Sequence, residues 1–315
     1  MAFSVAETRF DIAIIGGGPA GLSAGVWSAR YGHRVVLVDR GDPRNWESRG
    51  VNGYLGLPRV LPAELRARGR AECAEYGVVL LDEHVVKAST RSPEDFLLEL
   101  GTGQVLSASR ILIAVGIRDV WPNVPGLEHV YGANAHVCPD CDGHEANGLQ
   151  VVVIGSGKRA VSMALALTTW TEHITICTHG EPPEMDEAVL CEKLDACNIS
   201  IVPDRIIELG RSGEKIDSLL FSNGRRLDAD KIFFTLAQHP ADDVGVQLGC
   251  ERDAGEHIVV SEHGATSVDG VFAAGDITPG PQLAVRAACA GAIAAMAIHK
   301  SLLPDHRTLA NSTRS

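Results

Sequence analysis

Cys138 and Cys141 stand two residues apart in the stretch HVCPDCDGHE, residues 136–145, and Asp142 follows at once. Two sulfurs at that spacing can close a small disulfide, and neighbouring electropositive groups lower one thiol's pKa toward a working thiolate. Exchange with an outside thiol or disulfide passes through a mixed disulfide, so one sulfur must be reachable. His144, with an unperturbed pKa near neutrality, is a candidate base beside the pair. The competing chemistry is zinc, which takes four ligands. A second Cys-x-x-Cys or a His-x-x-x-His is absent, and Cys177 and His179 complete a site only if the fold brings them close. In a reducing compartment a close pair reads as redox chemistry before it reads as a staple. Cys73, Cys191, Cys197, Cys250 and Cys289 read as small apolar fillers.

The elements that must position the pair read as two nucleotide-binding units. FDIAIIGGGPAGLSAGVWSARYGHRVVLVDR, residues 10–40, is a complete βαβ unit: a short β-branched run, Gly16, Gly18 and Gly21 in G-x-G-x-x-G spacing, a helix, and a second strand ending in Asp39. Gly16 makes the turn, Gly18 lets the backbone approach a pyrophosphate, and Gly21 lets the helix pack tightly. The helix N-terminus then faces the phosphates. VVVIGSGKRAVSMALALTTWTEHITIC, residues 151–177, repeats the pattern with Gly155, Gly157 and Ala160. Between them, residues 95–116 predict a hairpin closed by GTG and a strand ending at Gly116. Residues 268–282 give a strand and Gly275-Asp276, then a helix rich in small residues, as if packed against a sheet or ligand.

Composition removes other classes. The 315 residues are 45 % apolar, enough for a sizeable core without disulfide staples. A net charge of −12 with no Lys/Arg-rich run excludes a nucleic-acid footprint. No stretch approaches a membrane span. MAFSVAETRF lacks the pattern of a signal peptide, so a cytoplasmic address is expected, and the tail RTLANSTRS reads as disordered.

The order GGGPAG, AVG, CPDCDG, GSGKRA and GVFAAGD resembles the low-molecular-weight thioredoxin reductase family over residues 10–303. The resemblance implies an α/β protein of two Rossmann-like three-layer nucleotide-binding domains. A FAD domain would comprise 1–120 and 245–315, and an inserted NAD(P)-type domain, 121–244, would carry the redox pair. It implies FAD with Gly16, Gly18, Pro19, Ala20 and Gly21 at the pyrophosphate and Asp39 at the adenosine ribose. Asn52 and Gln282 would lie near the flavin, Gly116 would belong to the same cofactor site, and Asp276 after Gly275 would meet the ribityl chain and a phosphate. A bland alternative for Asp276 is a helix N-cap. By the same resemblance Cys141 is the sulfur nearest the flavin, Cys138 the interchange thiol, and Asp142 the acid of proton transfer. The family implies a homodimer and thioredoxin as partner.

The sequence also departs from the family. Ordinary members bind NADPH through His-Arg-Arg after the second strand of the inserted domain, where this chain has Thr178-His179-Gly180. A guanidinium suits the 2′-phosphate best, and none is there. Lys158 and Arg159 fill the second glycine motif, and LAQHPA puts Ala237 and Ala241 where the family has Gly and Asn. Three weakened contacts together predict a donor other than NADPH, with Arg159, His179 and Arg205 as the candidate substitutes. Two kinds of relative lack that site: dithiol oxidases that close disulfides in small sulfur metabolites using oxygen, with Cys-Pro-x-Cys and Gly-x-Glu, and reductases fed by a non-nicotinamide donor such as ferredoxin or flavodoxin. The turn from Gly155 to Ala160 would still accept a pyrophosphate, even of a second flavin. A non-catalytic flavoprotein is the remaining alternative, and it requires a redox-silent pair.

Overall fold

The structure, a computed structural model, describes residues 8–182, 187–213 and 215–307, so the first seven residues and the tail beyond 307 lie outside it. The chain divides into two compact units. One comprises Met1–Arg44, Ala63–Arg118 and His239–Ser315; the other comprises Asn45–Pro62 and Asp119–Gln238.

The first unit is built on a seven-stranded sheet. Its parallel part runs Val79–Leu81, Val35–Val38, Thr8–Ile15 and Val105–Ile113, with Val271–Ala273 pairing parallel to the end of the last of these. Val105–Ile113 also pairs antiparallel with Asp95–Leu100, closing the expected hairpin. Alternation of side chains sends Ala13 and Ile15 into one core, and Ile12 and Ile14 into another on the opposite face. Both faces are covered, so the strand reads as an unbroken apolar run. The helix Pro19–Arg30 and the long helix Ala284–Ser301 share the second core. The small residues of the long helix serve that packing: a Cβ on Gly291 would lie 3.0 Å from the Ala20 Cα.

The second unit has a five-stranded, wholly parallel sheet in the order Ser200–Val202, Ile174–Cys177, Val151–Ile154, Lys231–Phe234, Ala135–His136. Val151 and Val153 face one core, Val152 and Ile154 the other. The helix Gly157–Leu167 follows the second glycine turn, as expected. A small antiparallel sheet, Ile206–Ser212, Lys215–Phe221 and Arg226–Asp228, completes the unit. Ile117–Asp119 and Gln238–Pro240 form a two-stranded ribbon where the chain passes between the units. Among the described residues, no helix is long and apolar enough to cross a membrane.

Candidate redox site

Cys138 and Cys141 are joined by a disulfide. Cys138 is the N-cap of the single-turn helix Pro139–Asp142, in extended backbone conformation, with proline at the first helical position. Proline there is pre-set for the helix and has no N–H to waste. Cys138 Sγ accepts a hydrogen bond from the Cys141 N–H at 3.1 Å. Both cysteines are half-buried, so the pair is held yet reachable.

The strand Ala135–His136 delivers the chain to this turn and carries a buried imidazole under it. His136 Nδ1 lies 3.5 Å from Asp142 Oδ2, and its Nε2 lies 3.1 Å from the Nζ of buried Lys231. Burial holds the Lys231 pKa below the ordinary lysine value, while Asp142 and Glu145 act to raise it and Arg59 to lower it. Asn52 donates to the Cys141 carbonyl at 2.9 Å, and its Nδ2 is 3.5 Å from Asp142 Oδ1. Asn52 thus grips the redox turn within the second unit. His144 is exposed, and the imidazole beside Asp142 is His136. The sequence alone does not single out His136 or Lys231, although His136 opens the stretch that holds the cysteines.

The glycine turn of the first unit fits a dinucleotide pyrophosphate. Gly16 has φ +107, and a Cβ there would lie 2.6 Å from the Ala114 carbonyl carbon, so only glycine serves. A Cβ on Gly18 would meet nothing within 4 Å, which leaves open space at the N-terminus of a 12-residue helix. Pro19 is the first residue of that helix, followed by Ala20 and Gly21. Asp39 lies at the end of Val35–Val38 against Gly17, in the grip of Arg66 at 2.5 and 3.1 Å, and its Oδ1 accepts from the Gly41 N–H at 3.2 Å. Arg44 joins Gln282 at 2.8 Å to Asp276 at 3.3 Å. Asp276 does not cap the long helix, whose N-cap is Leu283. Gly116 and Gly275 both adopt positive φ, and the Gly116 carbonyl accepts from the Ala241 N–H.

In the second glycine turn Gly155 and Gly157 both adopt positive φ, Ser156 is the N-cap, Gly157 opens the helix, and buried Ala160 lies against the turn. The loop that would meet a nicotinamide dinucleotide's ribose is held by two side-chain hydrogen bonds, one within it and one to the strand Ile206–Ser212. Thr178 Oγ1 donates to the Glu181 carbonyl at 2.7 Å, and His179 Nδ1 accepts from the Ile206 N–H at 3.1 Å. Burial, then Arg205, hold the His179 pKa below the usual histidine value, so it is a poor stand-in for a permanent cation. Arg159 donates to the Leu236 carbonyl at 2.9 Å, and Arg205 stands beside Gly180.

Among the described residues no His/Cys/Asp/Glu cluster is arranged to hold a metal ion, and Cys177 is buried with its thiol pushed up to about 12. The apolar-filler reading needs correction at Cys289, which is exposed, whereas half-buried Cys197 packs against the core around Leu194 and Ile199; the Cys191 side chain lies outside the described residues. Cys289 shares the exposed side of the long helix with Val285 and Met296, and a helix that is apolar nearly all round does not announce which of its faces is covered.

The family model "Pyridine nucleotide-disulphide oxidoreductase" matches residues 10–291. An alkyl hydroperoxide reductase relative from Escherichia coli (strain K12) is 30 % identical over 86 % of this chain and 54 % of its own length. The thioredoxin reductase of Rickettsia felis is 27 % identical over 92 % of this chain and 97 % of its own. The solved thioredoxin reductase of Giardia duodenalis superposes with a TM-score of 0.83 at 26 % identity, covering 94 % of this chain and 99 % of that one. The chain spans about half the length of the alkyl hydroperoxide reductase and NADH dehydrogenase relatives, and nearly all of the thioredoxin reductases. The chain belongs to the pyridine nucleotide-disulphide oxidoreductase family, in its thioredoxin reductase-like branch.

Proposed function

We propose that this protein is a FAD-dependent dithiol/disulfide oxidoreductase that exchanges electrons with an external thiol or disulfide through Cys138–Cys141, and that NADPH is not its donor. The observation that carries the reading is the half-buried disulfide at the N-cap of Pro139–Asp142, with an acid as the next residue. FAD, when bound at Gly16–Gly21, supplies the chemistry of taking or giving two electrons. Thioredoxin is the partner suggested by the relatives' names, and a small dithiol is the other candidate substrate.

The chain's own residues divide the work as follows. In the disulfide the Cys141 N–H points at Cys138 Sγ, a donor that would meet a negatively charged sulfur once the pair is reduced. Cys138 is therefore the sulfur suited to attack. Its thiolate displaces one sulfur of an external disulfide and forms a mixed disulfide. Cys141 then attacks Cys138 Sγ, the internal disulfide closes, and the second external thiolate leaves to take up a proton. Two electrons pass from the pair to the external disulfide, and the reverse sequence oxidises an external dithiol. Asp142, the residue after Cys141, is the acid that would take or return the proton of a thiol in the pair.

The reading against NADPH rests on Thr178-His179-Gly180, which has no guanidinium of its own, and whose Thr178 is bonded to the Glu181 carbonyl and His179 to the Ile206 N–H. Glu145 favours a second reading, the oxygen-dependent dithiol oxidase. It completes CPDCDGHE, and its Oε2 is buried without a hydrogen-bond partner among the described residues.

Single-cysteine variants test the proposal. Reduced Cys141→Ser, mixed with a small disulfide, should gain the mass of one mixed-disulfide adduct at Cys138. Reduced Cys138→Ser should gain it far more slowly. Adducts on neither variant would remove the proposed chemistry.

A further inference from the structure

Beneath the redox turn lies a buried file of charged groups that the exchange chemistry leaves unexplained. Lys231 and His136 are each only 7 % exposed, and they meet through Nζ and Nε2 at 3.1 Å. An ammonium has only protons to offer, so Lys231 donates and His136 Nε2 accepts. The other imidazole nitrogen then carries the proton, since the bond at one ring nitrogen sets the state of the other. That Nδ1–H faces Asp142 Oδ2 at 3.5 Å. The order is ammonium, imidazole, carboxylate, sulfur pair. A buried lysine is costly unless something offsets it. Here the carboxylates that favour its charge, Asp142 and Glu145, both lie on the redox segment.

We propose that Lys231 and His136 are positioning residues that orient Asp142 as the proton acceptor for the Cys138–Cys141 dithiol. The assignment rests on the exchange chemistry proposed above. In the step they serve, one proton leaves a thiol of the pair and joins the Asp142 carboxylate, and no electron moves. Lys231 stabilises the carboxylate through the imidazole, and His136 fixes its direction. The other charged groups of the cluster are Arg59, from the segment 45–62, with Glu145 at 3.8 Å, and Asp140 and His144 on the redox segment, both exposed. Of these, Arg59 adds to the stabilisation of a carboxylate, and Glu145 and Asp140 oppose it.

The test reads Asp142 itself as well as thiol reactivity. Infrared difference spectra between the disulfide and dithiol forms, taken across a pH series, report the protonated carboxyl band, and its absence in Asp142→Asn assigns it. Lys231→Gln keeps a hydrogen-bond donor but removes the charge. It should move the Asp142 midpoint upward, because the positive charge behind the imidazole is gone. His136→Gln should move it in the same direction and gives an independent answer where Lys231→Gln does not fold. The rate of iodoacetamide alkylation at Cys138 should shift in its pH dependence in both variants. In an Asp142→Asn background, the same two substitutions should leave that profile unchanged. Midpoints equal to wild type in both variants would overturn the assignment, as would profile shifts that persist without Asp142. A pair that dithiothreitol does not open at all is a different result, since it removes the proposed function as well.

Discussion

At the scale of single residues, burial sorts the sulfurs into reactive and inert. Cys73 and Cys177 are buried, and burial pushes their thiols up to about 11 and about 12. Only the thiolate is nucleophilic, so these two should stay unlabelled by iodoacetamide at neutral pH. Exposed Cys289 should be labelled without prior reduction, and Cys138 and Cys141 only after it. Peptide mass analysis before and after dithiothreitol checks both statements. The same shifts have a stability consequence. Their folded pKa values lie above the unfolded value, so the folded state holds protons that the unfolded state releases. The stabilisation is fully present below about pH 9, the ordinary thiol value, and is lost as pH rises through the values near 11 and 12. Denaturant melts between neutrality and pH 11 should show Cys177→Ala losing less stability with pH than the wild type. The Cys138–Cys141 disulfide was legible in the sequence, because the two cysteines stand in one short motif with Asp142 adjacent. The partners beneath them were not. His136 and Lys231 are 95 positions apart, and parallel pairing of their two short strands makes them neighbours.

At the scale of elements, close approach of backbones decides what each turn and helix tolerates. The βαβ units were legible because their signals are local: a fully buried strand leaves an unbroken apolar run, and a phosphate turn leaves glycines at fixed spacing. The long helix gave a weaker signal. Its small residues suggested a close neighbour without naming one, and that neighbour is Pro19–Arg30. Gly291→Val places new carbons against the Ala20 backbone and should cost about 1–3 kcal/mol, the usual range for overpacking. Ala20 belongs to the proposed flavin cradle, so retention of FAD during gel filtration should fall in step with the melting temperature. Asn52→Ala removes the hydrogen bond to the Cys141 carbonyl, worth about 0.5–1.5 kcal/mol net. Its expected effect is a lower melting temperature and faster opening of the disulfide by dithiothreitol. Nothing in the sequence around Asn52 announced that contact, since the segment 45–62 groups with residues more than fifty positions away.

At the scale of the whole molecule, the fold supplies two nucleotide turns and one thiol pair, and the proposed function turns on which turn feeds electrons. The first turn has the open space and helix N-terminus that a pyrophosphate needs. The second keeps its glycines but has no arginine within the Thr178-His179-Gly180 loop, and two of its three candidate substitutes are engaged, Arg159 with the Leu236 carbonyl and His179 with the Ile206 N–H, while Arg205 stands beside Gly180. The departure could be read from three short motifs, whereas the engagement of Arg159 and His179 needed the fold. The direct measurement is an anaerobic titration of the FAD-loaded protein followed by visible absorbance, with NADPH, NADH and dithiothreitol added to separate samples. Bleaching by the dithiol, with both nicotinamides silent, is the expected result. Bleaching by NADPH within the mixing time would contradict the claim that the nicotinamide site is lost and would make the protein an ordinary NADPH-driven reductase.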